Sequence, residues 1–266
     1  MYPSRPAHES RGRPFHPIFT IADTIASMLS LDRQNKWREQ YRLEHPGWRP
    51  ATEVYAGRVR DHLRPGDRLL DIGCGRGGLI EQLQHPISRT FGVDPDFASL
   101  RDHRLTSFPR AVALGHHLPF RNGSFDVITA AWVLEHMVEP EAAFAAIARA
   151  LRPGGAFIFI TPNARHPLAW ANNIAGKLGR VQGRLVDLLY GRAEDDTFPT
   201  AYKANTPKAT AHLAAGAGLA VASIDLVTDP SYLAFNALAF RVMSGVDNYL
   251  PSDRRIHMVG VIRKDV

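Results

Sequence analysis

The sequence predicts an α/β protein built on a mostly parallel sheet with helices on both faces, and two observations carry that reading. From Asp67 onward, short apolar runs alternate with stretches of helical spacing: Arg68–Ile72, Leu79–Gln84, Thr90–Val93, Phe97–Arg101, Ala111–Leu114, Phe125–Ala130, Glu141–Leu151 and Ala156–Thr161. Strand–helix alternation of this kind requires right-handed crossovers and therefore a parallel sheet flanked by helices. The second observation is Leu69-Leu70-Asp71-Ile72-Gly73-Cys74-Gly75-Arg76-Gly77-Gly78, an apolar run that ends in an acid and turns through glycines into a helix.

Taken in order, residues 1–17 are rich in Pro, Arg, His and Ser and predict a disordered tail. Residues 18–63 predict a helical cap, with helices over Ile21–Leu31, Gln34–Tyr41 and Thr52–Leu63 broken at Pro46–Pro50. Arg64-Pro65-Gly66-Asp67 is a turn that delivers the chain to the first strand of a domain over 64–266. Residues 163–205 form a long insertion where a connection is usually short. Ala220–Asp225 and Ile256–Ile262 supply the last two strands.

The glycine turn reads as a nucleotide cradle. Gly73 and Gly75 let the backbone approach a ligand closely, and the helix that follows offers free N–H groups. Arg89-Thr90-Phe91-Gly92-Val93-Asp94 is a strand ending in a carboxylate about 20 residues further on, where a ribose hydroxyl pair is held in nucleotide-binding sheets. Gly73, Gly75 and Gly78 also satisfy G-x-G-x-x-G, so the glycines leave a nicotinamide dinucleotide and an adenosine-type methyl donor both open. Asp71 favours the second, because a carboxylate there suits a cationic amino-acid end and repels a diphosphate.

At this point the chain resembles a known family. Asp71-Ile72-Gly73-Cys74-Gly75 is similar to motif I of the class I S-adenosylmethionine (SAM) dependent methyltransferases, of the type 11 and ubiquinone-biosynthesis kind, and Gly92-Val93-Asp94 is similar to motif II. Leu118-Pro119-Phe120-Arg121-Asn122-Gly123-Ser124-Phe125-Asp126-Val127-Ile128, Val133-Leu134-Glu135-His136 and Leu151-Arg152-Pro153-Gly154-Gly155 resemble the segments that follow, in family order. The resemblance implies a Rossmann-like, seven-stranded, mostly parallel sheet closed by an antiparallel hairpin. It implies SAM as cofactor, with Asp71, Gly73 and Gly75 at the methionine end and Asp94 on the ribose. Cys74 and Pro95, in the same two turns, are expected to contact the cofactor as well. Many relatives carry an acid four places before the "LPF" leucine for the adenine amino group; here that position is Leu114, and backbone around Gly115 and His116 is expected to take over.

His136, at the end of the fourth strand, is the candidate general base, its ordinary pKa lying near neutrality. Trp132 is expected to form an aromatic wall near the transferring methyl. Ubiquinone-biosynthesis relatives place a divalent metal on Glu-x-x-Glu-His. Trp132-Val133-Leu134-Glu135-His136 lacks the first acid, so no metal site is expected.

In the insertion, Ile174, Leu178, Val181, Leu185 and Leu188 repeat at helical spacing, with Lys177, Arg180 and Arg184 on another face. A lid over the acceptor pocket, a peripheral membrane contact through 166–191 and a dimer contact are the readings, and the lid is favoured because the segment follows the fifth strand's active end. His166 and Tyr202 are further pocket candidates.

The bulk numbers exclude other classes. At 266 residues and 45% hydrophobic, the chain can bury a sizeable core, and its single cysteine, Cys74, allows no internal disulfide. The net charge of +6 is spread along the chain without the aromatic-plus-basic stretches that stack bases, so no nucleic-acid partner is expected. No signal-like or membrane-spanning run is present, and a cytoplasmic location is expected. The resulting expectation is a SAM-dependent methyltransferase acting on a small-molecule or lipid-like acceptor, at oxygen. The alternatives are a catalytically inactive SAM-binding partner or sensor, and an NAD(P)-dependent oxidoreductase.

Overall fold

The computed structural model describes residues 31–78, 80–170 and 200–266. The expected tail over 1–17, the first expected helix before Leu31 and the amphipathic repeat of the insertion lie outside these residues.

Helix α1 (Leu31–Glu44) is polar along most of its length and turns few residues inward. Helix α2 (Ala51–His62) starts directly after Pro50 and buries Ala51, Tyr55, Ala56 and Val59, a stripe at four-residue spacing that faces the sheet. The chain then alternates through β1 (Leu69–Ile72), the short α3 (Ile80–Leu83), β2 (Thr90–Asp94), α4 (Phe97–Arg101), β3 (Arg110–Val112), β4 (Phe125–Ala131), α5 (Pro140–Ala150) and β5 (Leu151–Pro162). It ends with α6 (Pro207–Gly216), β6 (Leu219–Val227), α7 (Ala237–Tyr249) and β7 (His257–Lys264). The strands form one seven-stranded sheet in the order β3-β2-β1-β4-β5-β7-β6. Neighbours from β3 to β5 run parallel, and β7 is antiparallel to both β5 and β6.

Alternation along each strand sorts the core into two layers. Leu70, Ile128, Phe157 and Phe159 pack with Phe144 and Ile147 of α5 and Leu213 of α6 on one face. Leu69, Val127, Ile158 and Val259 pack with Tyr55 and Val59 of α2 and Leu100 of α4 on the other. Each fully buried side chain of this size contributes about 1.5–3 kcal/mol. Asp71 and Thr129 are paired in register at the ends of β1 and β4, two residues beyond Leu69 and Val127, so both belong to the α2 face.

Three elements differ from expectation. The helix after the glycine turn is a single turn instead of a longer helix. Strand β5 starts at Leu151, because Arg152-Pro153-Gly154-Gly155 continues as strand after pairing Leu151 with Phe125. Helix α7 was not anticipated from its sequence, although Asn236 caps it by accepting from the Ala239 N–H at 2.8 Å. By contrast Thr206 caps α6 as the Thr-Pro pair predicts, accepting from the Ala209 N–H at 3.1 Å.

Helix α7 packs against α1. The Trp37 ring stacks on Phe240 at 4.8 Å, and Tyr41 meets Phe240 edge-on. Arg241 of α7 bonds Glu44 of α1 at 2.9 Å.

Candidate functional site

Two groups of polar residues gather at the carboxyl ends of the strands, where parallel sheets bind ligands. The first surrounds the glycine turn. The Gly73 and Cys74 N–H groups donate to the Val93 carbonyl at 2.7 and 3.2 Å, tying the turn to the end of β2. Gly73 and Gly75 take φ of +73° and +49°, and a Cβ on Gly73 would lie 2.3 Å from Val133 Cγ2. The Gly75 N–H donates to Asp94 Oδ2 at 2.9 Å and the Asp96 N–H to Asp94 Oδ1 at 2.8 Å.

Asp94 therefore spends one acceptor position on each oxygen and keeps one on each, which matches the two donors of a vicinal diol. Burial pushes its carboxyl above the usual range. Asp71 is more deeply buried, and Thr129 Oγ1 donates to its Oδ1 at 2.8 Å. Its carboxyl is pushed up to about 7, chiefly by burial and then by the charges of Glu81 and Asp94 acting against the Thr129 bond. A cation brought to Asp71 would reverse that shift.

The turn does not suit a diphosphate. Glu81 Oε2 accepts from the Gly78 N–H at 2.6 Å, so the amide that the third glycine was expected to offer is used within the turn. Asp71, Glu81, Asp94 and Asp96 make the surroundings acidic. A ligand with a ribose diol and a cationic end fits this donor and acceptor set, and a dinucleotide does not.

The remaining expected residues of this group are placed as follows. Cys74 Sγ is buried against Phe108 and Gly92, where a Cβ on Gly92 would come within 2.6 Å of the sulfur. Burial raises its thiol pKa, so the side chain is packing and only the backbone faces the turn. Pro95 is exposed between β2 and α4. Gly115 lies beside the end of β1, its position for a Cβ 3.7 Å from Ile72 Cγ2, and half-buried His116 meets the His117 ring edge-on.

The second group lies at the ends of β4, β5, β7 and β6. Trp132 ends β4 with φ +59°, its N–H bonded to the Ile160 carbonyl at 2.9 Å. A non-glycine residue held there is strained, which marks a position fixed by its surroundings. Its ring meets that of buried His257 edge-on at 5.2 Å. His257 Nε2 is 2.8 Å from Tyr232 Oη, and its Nδ1 is buried without a partner. Burial lowers its pKa to about 4, with Asp229 opposing and Arg38 and His166 assisting. Asp229 is fully employed: it accepts from Arg38 Nε at 2.8 Å and from the Ser231 N–H and Oγ at 3.0 and 2.6 Å. His166 Nδ1 accepts from the Leu168 N–H, which leaves the proton on Nε2, 3.7 Å from Asp247 Oδ1.

His136 is half-buried in a helical turn that follows Trp132. Its neighbour Glu135 is structural: Oε2 accepts from Thr161 Oγ1 at 2.8 Å, and its carbonyl accepts from the Ala201 and Tyr202 N–H groups. Tyr202 is buried at φ +50°. Among the described residues no group of three or more His, Cys, Asp or Glu is placed to hold a metal ion.

Sequence reading named Asp71, Asp94, Trp132 and His136 but missed Tyr55, Glu81, Thr129, Asp229, Tyr232 and His257. A histidine opening an otherwise apolar strand was the one available signal for His257. The others are ordinary residues until the fold assembles them.

Comparison with known proteins shows what this part of the chain is similar to. A family model described as a methyltransferase domain matches residues 70–159, which hold the glycine turn, both acids, Trp132 and His136. Over those residues the chain is similar to that methyltransferase domain. The ubiquinone biosynthesis O-methyltransferase of Sodalis glossinidius is 34% identical over 118 residues, 42% of this chain and 47% of that protein. The chain spans about half the length of the curated relatives it matches.

Solved structures show the same methyltransferase fold. An S-adenosylmethionine dependent methyltransferase from Mesorhizobium loti superposes with a TM-score of 0.53 at 19% identity, over 78% of this chain and 96% of that one. Geranyl diphosphate C-methyltransferase from Streptomyces coelicolor A3(2) gives 0.55 at 17%, over 80% of each chain. The acidic, diol-ready turn lies within the segment that the methyltransferase domain model matches. No helix among the described residues is long and apolar enough to cross a membrane.

Proposed function

We propose that this methyltransferase transfers a methyl group from SAM to an oxygen of a small-molecule or lipid-like acceptor. The observation that carries the reading is the pair of buried carboxylates at the ends of adjacent strands. Asp94 keeps the acceptor positions for the ribose diol, and Asp71 waits for the cationic amino group. Bound SAM would supply an electrophilic methyl, and the protein's part is alignment, exclusion of water and handling of the acceptor's proton.

The two histidines divide that last task by their environments. His257 is neutral at pH 7, buried and bonded to Tyr232, which suits holding an acceptor hydroxyl in place. A base with a pKa near 4 takes a proton poorly, which leaves half-buried His136 for that step. His136 is the general base of this reading, and the Trp132 ring packs edge-on against His257. The O-methyltransferase relatives support oxygen as the acceptor atom.

The test is calorimetric titration with S-adenosylhomocysteine, NAD and NADP, followed by labelled-methyl transfer to a panel of phenols, alcohols and amines. Binding of the sulfur compound alone and label on a hydroxyl support the proposal. Dinucleotide binding, or label only on nitrogen, contradicts it. Binding without transfer to any acceptor is the outcome expected of an inactive SAM-binding sensor.

A further inference from the structure

Tyr55 lies in α2, outside the segments that resemble the family's motifs. Its ring is part of the packed α2 face of the sheet, together with Leu69 and Val127. Its hydroxyl is buried and makes no hydrogen bond in the structure. A phenol oxygen shut away from water without a partner costs free energy, and phenylalanine would fill the same space without that cost. Packing alone does not account for the oxygen.

The groups around the hydroxyl suggest what it waits for. Apart from burial, the Asp71 charge raises its pKa and the Thr129 hydroxyl, close enough to be its partner, lowers it, although the two make no hydrogen bond of good geometry. Thr129 has a single hydroxyl proton and two acceptors within reach, Asp71 Oδ1 at 2.8 Å and the Leu70 carbonyl at 3.2 Å. When Asp71 is charged, that proton belongs to the carboxylate, and the Thr129 oxygen has lone pairs left for a further donor. On the α2 face, Tyr55 is that donor.

We propose that Tyr55 is a cofactor-positioning residue, its hydroxyl completing a chain from Tyr55 through Thr129 to Asp71 when the carboxylate receives the cationic amino group of the cofactor. The proposal rests on the SAM reading of the glycine turn. In the empty protein the chain is incomplete at its first link: Thr129 Oγ1 already donates to Asp71 Oδ1 at 2.8 Å, but the Tyr55 hydroxyl is unbonded, and Asp71 itself is held above the usual carboxylate range by burial and by the facing acids Glu81 of α3 and Asp94 of β2. Bringing a cation to Asp71 fixes its charge, orients Thr129 and gives Tyr55 its acceptor. Hydrogen bonds in such a chain polarise one another. Helix α2, which precedes the family's motifs, is thereby coupled to occupancy of the site.

The test compares the full chain with Tyr55→Phe, using S-adenosylhomocysteine and 5′-methylthioadenosine as probes. The second compound carries the same adenosine and a thioether but lacks the amino-acid end. Calorimetry at pH 6 and pH 8 should show Tyr55→Phe binding S-adenosylhomocysteine about 10-fold more weakly at pH 8, as expected for one bond to a charged group. At pH 6, where Asp71 is mostly protonated, the difference should shrink. Affinity for 5′-methylthioadenosine should be unchanged, and the empty variant should melt at the same temperature or higher.

Unchanged S-adenosylhomocysteine affinity at both pH values overturns the proposal. So does an equal loss for both compounds, which would make Tyr55 a packing residue. If the unsubstituted protein binds neither compound, the cofactor reading itself falls and takes the proposal with it. A Thr129→Val variant gives an independent check: adding Tyr55→Phe to it should weaken binding little further, because the chain is already cut.

Discussion

The proposed cofactor end and the proposed acceptor end of this sheet are made differently, although both lie on the same edge. At the cofactor end, Asp71, Gly73, Gly75, Glu81 and Asp94 come from one 24-residue stretch of chain. At the acceptor end, Arg38, Trp132, His166, Asp229, Tyr232, Asp247 and His257 come from α1, β4, the start of the insertion and the last forty residues. A local turn can impose a fixed donor and acceptor pattern, so it can be shared among proteins of different specificity. A chamber assembled from distant segments can change with any of them. In this reading, cofactor chemistry rests on the local part and acceptor choice on the chamber built from distant segments.

Substitutions should separate the two ends. The largest effect is expected for Asp71→Ala: S-adenosylhomocysteine affinity should fall by about 100-fold or more by calorimetry, since a buried charge partner is lost. The empty variant should nevertheless melt no lower at pH 8, because Asp71 is a carboxyl held above its ordinary range. Next is His136→Ala, which should lower turnover on a hydroxyl acceptor about 100-fold with cofactor affinity intact. Unchanged turnover would return His136 to a structural role.

Asp229→Asn breaks the comparison from the other side. It weakens the buried partner of Arg38, and chemical denaturation should show a loss of about 2–3 kcal/mol with S-adenosylhomocysteine affinity unaltered. Loss of cofactor affinity in that variant would mean that the two ends are not separate.

The smallest effect is a pH dependence. With the folded pKa of Asp71 near 7 and its ordinary value near 3.8, the empty protein holds a proton that the unfolded chain has released over this window. The stability contributed by that proton is present at low pH and lost as the pH rises through 7. Affinity for a cationic ligand runs the opposite way. S-adenosylhomocysteine should bind several-fold more tightly at pH 8 than at pH 6, and Asp71→Asn should abolish that slope.

Legibility in the sequence follows the same division. Strand alternation and the glycine turn made the sheet, its direction and the two cofactor acids readable, because each signal is local. Helix α7 was missed although Asn236 caps it, since the residues after the cap alternate small and apolar without a clean polar face. His257 was missed because its role depends on Tyr232 and Trp132, 25 and 125 residues away. The Cys74 side chain is packing, for a reason that is not local: Gly92, 18 residues on, leaves the space its sulfur fills. The third glycine misled in part, because Glu81 uses the Gly78 amide that a diphosphate would need.

The most direct measurement of the central claim is a crystal structure of the protein with S-adenosylhomocysteine. The account predicts the ligand's amino group on Asp71 and its two ribose hydroxyls on Asp94, with the thioether directed toward Trp132. A ligand bound elsewhere, or one whose ribose avoids Asp94, would contradict it.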